Sequence, residues 1–184
     1  LMAAARGVRI VGIDRPGIGS STRHVYPDIR SFAADLDALA TALGIPQMAV
    51  VGLSGGGPYA LAAGAALGSK VRVVGVLGGV APTRGPDAIG GGAVALGVRL
   101  AWVLRSGRVP LGMALAGAVR AAKPLASPAL EVYARFSPEG DRRLLARPEF
   151  KAMFLDDLLH GSRRQLHAPI ADVLAFTLDW GFTA

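Results

Sequence analysis

The sequence predicts an α/β chain: a partial parallel sheet flanked by helices in a three-layer core, followed by a region that is helical throughout. Three observations carry this. Between residues 8 and 80, short apolar runs of strand length alternate with helical stretches in the order β-α-β-α-β, the pattern of a parallel sheet with right-handed crossovers. The second of these strands, residues 48–52, is apolar without polar alternation, as expected of a strand covered on both faces. From Ala81 onward the strand pattern stops, and prolines at 82, 86, 110, 124, 128, 138, 148 and 169 punctuate helical stretches. The chain therefore divides into a core at residues 1–82 and a helical region at 83–184.

Each element has its own signal. Val8-Arg9-Ile10-Val11-Gly12-Ile13 is a β-branched run that predicts a first strand, stopped by the turn residues Asp14-Arg15-Pro16-Gly17-Ile18-Gly19-Ser20-Ser21. A helix follows, with Ile29, Phe32, Ala33, Leu36, Leu39, Ala40 and Leu43 at spacings of three and four. Asp28, Asp35 and Asp37 lie off that stripe, and Gly44 then Pro46 end the helix. Met48-Ala49-Val50-Val51-Gly52 predicts a second strand. Pro58 opens an Ala-rich helix over 59–67, where its missing N–H costs nothing, and 71–80 predicts a third strand. Helices are expected over 93–104, 111–122, 129–136, 149–160 and 170–178. No internal repeat is present.

Composition narrows the function. The 184 residues suffice for one ordinary domain, and 52% of them are apolar, enough for a packed core. There is no cysteine, which excludes disulfides, thiolate metal sites and a cysteine nucleophile and fits a reducing, cytoplasmic setting. The net charge is +7, and 17 of the 20 basic residues are Arg. These are scattered, with Arg142-Arg143 and Arg163-Arg164 the densest pairs and few aromatics among them, so a solvated surface is expected and no nucleic acid partner. The longest apolar run, residues 88–98, is interrupted by Arg99 and falls short of the roughly 20 residues of a spanning helix, so no membrane partner is expected. Residues 1–12 carry two arginines and no long apolar stretch, unlike a secretory signal.

The sharpest feature is Gly52-Leu53-Ser54-Gly55-Gly56, of the form G-x-S-x-G, placed between a predicted strand and a predicted helix. A serine on so tight a strand-to-helix turn is held in a strained backbone conformation with its hydroxyl outward. Neighbours two before and two after must then be small, here Gly52 and Gly56. The Gly55 N–H, at the start of the helix, is expected to point where an oxyanion would form, helped by the helix dipole. Two plainer readings stand beside this one: Ser54 caps the helix, or the glycines form a phosphate-binding turn. Gly55-x-Gly57-x-x-Ala60 also matches a loose dinucleotide loop, but residues 61–86 lack the acidic residue that such a site needs after the next strand. Asp14 and Arg15 read as structural, Asp14 capping its turn and Arg15 pairing with a carboxylate of the next helix. Gly17 and Gly19 read as turn glycines. Trp102, Trp180, Phe136, Phe150 and Phe154 suit either an acyl pocket or ordinary packing.

With both segments in view, the chain resembles the α/β-hydrolases. Gly52-Leu53-Ser54-Gly55-Gly56 matches their nucleophile elbow. Asp14-Arg15-Pro16-Gly17-Ile18-Gly19-Ser20-Ser21 is similar to the D-R-P-G-x-G-x-S segment after an earlier strand in many members. Leu178-Asp179-Trp180-Gly181-Phe182 resembles the end of the helical lid. The resemblance implies a serine hydrolase acting on a small-molecule ester, amide or related acyl substrate, with Ser54 as nucleophile, Gly55 as one oxyanion donor, and neither metal nor organic cofactor. A serine rather than an aspartate argues against the halide- and epoxide-cleaving branches.

Members also carry an H-G loop before the first of these strands, and a strand-terminal acid and histidine after the lid, in the order Ser, Asp/Glu, His. The chain therefore reads as an internal piece of a longer hydrolase, inactive by itself. His24 precedes Ser54 and breaks the order. His167, with Asp156 or Asp157, keeps it and is the one base candidate within the chain. Asp157 and His160, three apart, read as a surface pair, and the three histidines lack metal-ligand spacing. The second hypothesis is a non-catalytic hydrolase-like module that binds a ligand beneath the lid and makes no use of the serine.

Overall fold

The computed structural model describes residues 2–90, 106, 114, 117, 121, 123–161 and 167–183, with backbone alone at 123, 158–161 and 167–170. In chain order the main elements are α1 (Phe32–Ala42), β1 (Met48–Leu53), α2 (Gly57–Leu67), β2 (Val71–Leu77), α3 (Ala126–Phe136), α4 (Glu139–Leu145), α5 (Pro148–Gly161) and α6 (His167–Phe176). They fall into two compact units. Leu1–His24 and Met113–Ala168 form one; Val25–Gly112 and Pro169–Ala184 form the other, which holds the sheet.

In the sheet unit, α1 forms because its apolar stripe has a core to meet. Ile29, Phe32, Ala33, Leu36 and Ala40 are buried, while Leu43 at the stripe's edge is exposed. Asp28 Oδ1 accepts from the Ser31 N–H at 2.8 Å and the Ser31 hydroxyl at 2.7 Å, satisfying donors at the entry to the helix. Gly44 ends it at φ +64°, with Ile45 N–H donating to Ala40 O at 2.8 Å.

β1 and β2 pair in parallel, Val50 opposite Val74, Gly52 opposite Val76 and Leu53 opposite Leu77. One face packs on α2, whose small residues permit close approach: a Cβ on Gly64 would lie 2.6 Å from Val74 Cγ2. The core beneath joins Ile29, Phe32, Leu36, Tyr59, Ala62, Ala63, Phe176 and Trp180. Its rings meet edge to face, Phe32 on Tyr59 at 5.2 Å and Tyr59 on Phe176 at 6.3 Å. The segment after α6 docks on the start of α1. Arg30 N–H donates to Trp180 O at 3.1 Å, and Gly181 N–H donates to Asp179 Oδ1 at 2.7 Å.

Three expectations are corrected here. Residues 8–13 form no hydrogen-bonded strand; β-branched composition favours an extended chain, but among the described residues nothing pairs with this one. Strand β2 stops at Leu77 rather than residue 80, because Gly78 turns the chain at φ +57°. And the strand at 48–52, expected to be covered on both faces, has one face left open among the described residues. Val51, Leu53, Val73 and Leu77 project from that side of the sheet and are 67%, 71%, 62% and 56% exposed.

In the other unit, a single 3-10 turn (Ala4–Arg6) precedes the irregular residues 8–13. The D-R-P-G segment is a compact turn. Ser21 Oγ donates to Asp14 O at 2.6 Å, Ile18 N–H donates to Arg15 O at 2.9 Å, and the Asp14 carboxylate lies at 3.5 Å from the Ser20 nitrogen. Gly17 and Gly19 take φ +78° and +51°, and a Cβ on Gly19 would strike that carboxylate. Helices α3 and α5 extend the expected 129–136 and 149–160 by a few residues, and Lys151 Nζ pairs with Glu131 at 2.6 Å. The expected 170–178 helix runs instead from His167 to Phe176. Helix α4 was not expected. The expected helix at 93–104 lies outside the described residues, and of 111–122 only 114, 117 and 121 are described, each helical. No helix among the described residues is long and apolar enough to cross a membrane.

Candidate active site

Ser54 sits between the end of β1 and the start of α2. Leu53 is still extended (φ −98°, ψ 133°), and Gly56 is already helical (φ −79°, ψ −19°). The whole change of direction falls on Ser54, at φ +50°, the one non-glycine residue with positive φ among those described. An L-residue pays about 1–2 kcal/mol for that conformation. Such strain persists only where the surroundings enforce it, and it concentrates at functional positions. The side chain is exposed, and its hydroxyl makes no hydrogen bond with any described residue.

What enforces the turn is the space around Gly52. A Cβ there would lie 2.4 Å from Gly56 O, 2.6 Å from Gly56 C and 2.8 Å from Gly57 Cα. Gly56 is different: a Cβ on it would meet nothing within 4 Å, so the crowding expected on both sides of Ser54 does not extend to it. The second crowded position is Gly57, where a Cβ would approach Gly79 Cα and Val76 Cγ1 to 3.0 Å. Gly57 N–H closes the 3-10 turn Ser54–Gly56 by donating to Ser54 O. At the head of that turn the Gly55 N–H has no partner one turn back, which leaves it available to an anion. The dipole of α2, running on from Gly57, favours negative charge at the same end.

Three residues that sequence reasoning did not single out surround this turn. The Phe176 ring lies 3.4 Å from the position a Gly55 Cβ would take. Tyr59, the third residue of α2, donates its hydroxyl to Asp172 Oδ1 at 2.6 Å. Thr83, beyond β2, donates its hydroxyl to Phe176 O at 3.0 Å. No local spacing signals these contacts, since α6 is distant in sequence from the turn it touches.

The base candidate His167 opens α6, but its side chain, like that of His160, lies outside the described residues. His24 is exposed in the unit without the sheet, and Asp156 and Asp157 are exposed on α5. Of the three histidine side chains, only that of His24 is described. Of the aromatics, Trp180 is core, Phe136 is largely exposed, Phe150 stacks on Phe154, and Trp102 lies outside the described residues. The perturbed groups lie elsewhere. Burial and then Asp35 raise Tyr26, and the Lys151 ammonium holds Glu131 below its usual range. Among the described residues no cluster of His, Asp and Glu could hold a metal ion.

A family model described as the alpha/beta hydrolase fold matches residues 2–90. Among solved structures, the chain is similar to an alpha/beta hydrolase fold protein from Nakamurella multipartita, at 21% identity and a TM-score of 0.55. The match covers 96% of this chain and 61% of that one, so the chain spans about three fifths of that protein's length. No curated protein matches the chain. Residues 2–90 belong to the α/β-hydrolase fold family, and the chain has the α/β-hydrolase fold with a helical region after its parallel strands.

Proposed function

We propose that Ser54 is the nucleophile of a serine hydrolase acting on an ester, amide or related acyl compound. One observation carries the reading: a non-glycine residue held at φ +50° between strand and helix, with its hydroxyl exposed and a glycine two residues earlier that leaves no room for a side chain. In this reaction Ser54 Oγ attacks the acyl carbonyl while its proton passes to a histidine base, completing a tetrahedral intermediate. The Gly55 N–H donates to the developing oxyanion, a contribution of about 10²–10³ in kcat for one such donor. Collapse expels the alcohol or amine, which takes up the proton, and water releases the acid from the acyl-serine. A histidine base and an acid to orient it are to be sought in the full-length gene product.

Fluorophosphonate labelling of that full-length product tests the reading. Labelling mapped to Ser54 and lost in Ser54→Ala supports it. Saturable ligand binding that survives Ser54→Ala, without any labelling, would favour the non-catalytic binding module.

A further inference from the structure

We propose that Phe176, gripped in place by Tyr59 and Asp172, positions the Gly55 N–H, so that the end of α6 acts as a positioning element for the oxyanion site. This rests on the nucleophile reading of Ser54.

Two pairs of residues, each pair about one helical turn apart, come together here. Gly55 and Tyr59 lie four apart along the turn and the start of α2. Asp172 and Phe176 lie four apart on α6 and so share a face. The pairs approach each other twice: the Phe176 ring stands 3.4 Å from the position a Gly55 Cβ would take, and the Tyr59 hydroxyl donates to the Asp172 carboxylate at 2.6 Å. An O–H to carboxylate bond of that length is among the stronger kinds available to a protein. Tyr59 also meets the Phe176 ring edge to face, which fixes the spacing between the two contacts.

A third contact closes the arrangement. Thr83 Oγ1 donates to Phe176 O, one of the carbonyls that the end of α6 leaves without a helical partner. Thr83 follows the Gly78–Gly79 bend, and Gly79 packs against Gly57. Phe176 is thus tied to both sides of the turn that carries Ser54. Gly55 itself has no side chain with which to hold its peptide plane. Among the described residues, the buried Phe176 ring is the one side chain within 4 Å of the position a Gly55 Cβ would take.

The test measures hydrolysis of p-nitrophenyl acetate and fluorophosphonate labelling in the full-length gene product. Phe176→Leu and Tyr59→Phe should lower kcat about tenfold, toward the roughly 100-fold that an ångström of misplacement can cost, with KM unchanged. Asp172→Ala should match them, whereas Asp172→Asn, which keeps an acceptor for the Tyr59 hydroxyl, should restore most of the loss. Tyr59→Phe removes one oxygen only and keeps the core filled, so it answers even where Phe176→Leu fails to fold. Wild-type kcat in folded Tyr59→Phe and Phe176→Leu, or kcat and KM shifting together, would overturn the proposal and leave the Ser54 reading intact. A wild-type protein that is never labelled would overturn both.

Discussion

Adding one methyl group at Gly52 gives the sharpest physical test of the turn. In Gly52→Ala the new Cβ would lie 2.4 Å from Gly56 O and 2.8 Å from Gly57 Cα, about an ångström inside ordinary contact, and every atom it strikes is backbone. Overpacking of this kind costs about 1–3 kcal/mol, and rigid backbone neighbours put it at the upper end. Stiffening of the unfolded chain by alanine returns about 0.4–1 kcal/mol. The net loss is about 2 kcal/mol, or roughly 4–8 °C in Tm for a chain of this size. Gly56→Ala is the control. Its Cβ meets nothing within 4 Å, its φ of −79° suits alanine, and only the stiffening remains, so stability should hold or rise by up to about 1 kcal/mol. Urea melts of the two variants should therefore separate by about 3 kcal/mol, although the substitutions are identical and four residues apart. Equal midpoints, or a larger loss at Gly56, would refute the claim that Gly52 holds the turn.

Other outcomes follow from the same contacts. Ser54→Gly, which relieves the cost of φ +50°, should be at least as stable as Ser54→Ala in denaturant, since alanine keeps the Cβ and the strain of about 1–2 kcal/mol. Asp28→Ala should destabilise by about 0.5–2 kcal/mol in urea melts, because Ser31 loses the carboxylate that its N–H and hydroxyl both reach. The raised pKa of Tyr26 means the native state holds that proton more tightly than the unfolded chain. Its stabilisation is complete below the tyrosine's ordinary 10 and is lost as pH rises beyond it, so Tyr26→Phe should flatten the alkaline fall in stability measured by urea midpoints. The 184-residue chain with its open sheet face should self-associate in sedimentation runs, and Val73→Lys, in the middle of that face, should reduce the association.

The legible parts of the sequence were those whose signal is local. The stripe from Ile29 to Ala40 gave α1, because burial of one face is written in its spacing. The apolar runs at 48–52 and 71–80 are legible as strands, the second overrunning the strand that ends at Leu77, and the placement of Ser54 between strand and helix follows from them. Residues 8–13 show the limit of composition: β-branched residues make a strand only where another backbone offers its hydrogen bonds. Helix α4 was missed because its seven residues carry only two apolar side chains. Its remaining signal was the polarity of its ends, Glu139 and Asp141 first, then Arg142 and Arg143. At the turn, the crowding at Gly52 follows from the motif, but the open space beside Gly56 depends on where a single Cβ vector points. Phe176 and Asp172 are brought to Tyr59 and the turn by tertiary packing alone.

Mass mapping of a fluorophosphonate adduct in the full-length gene product is the most direct test of the account. A single adduct on Ser54, absent from Ser54→Ala, is the predicted result. An adduct on another serine, or none beside an active enzyme, would contradict the assignment of this turn as the nucleophile's.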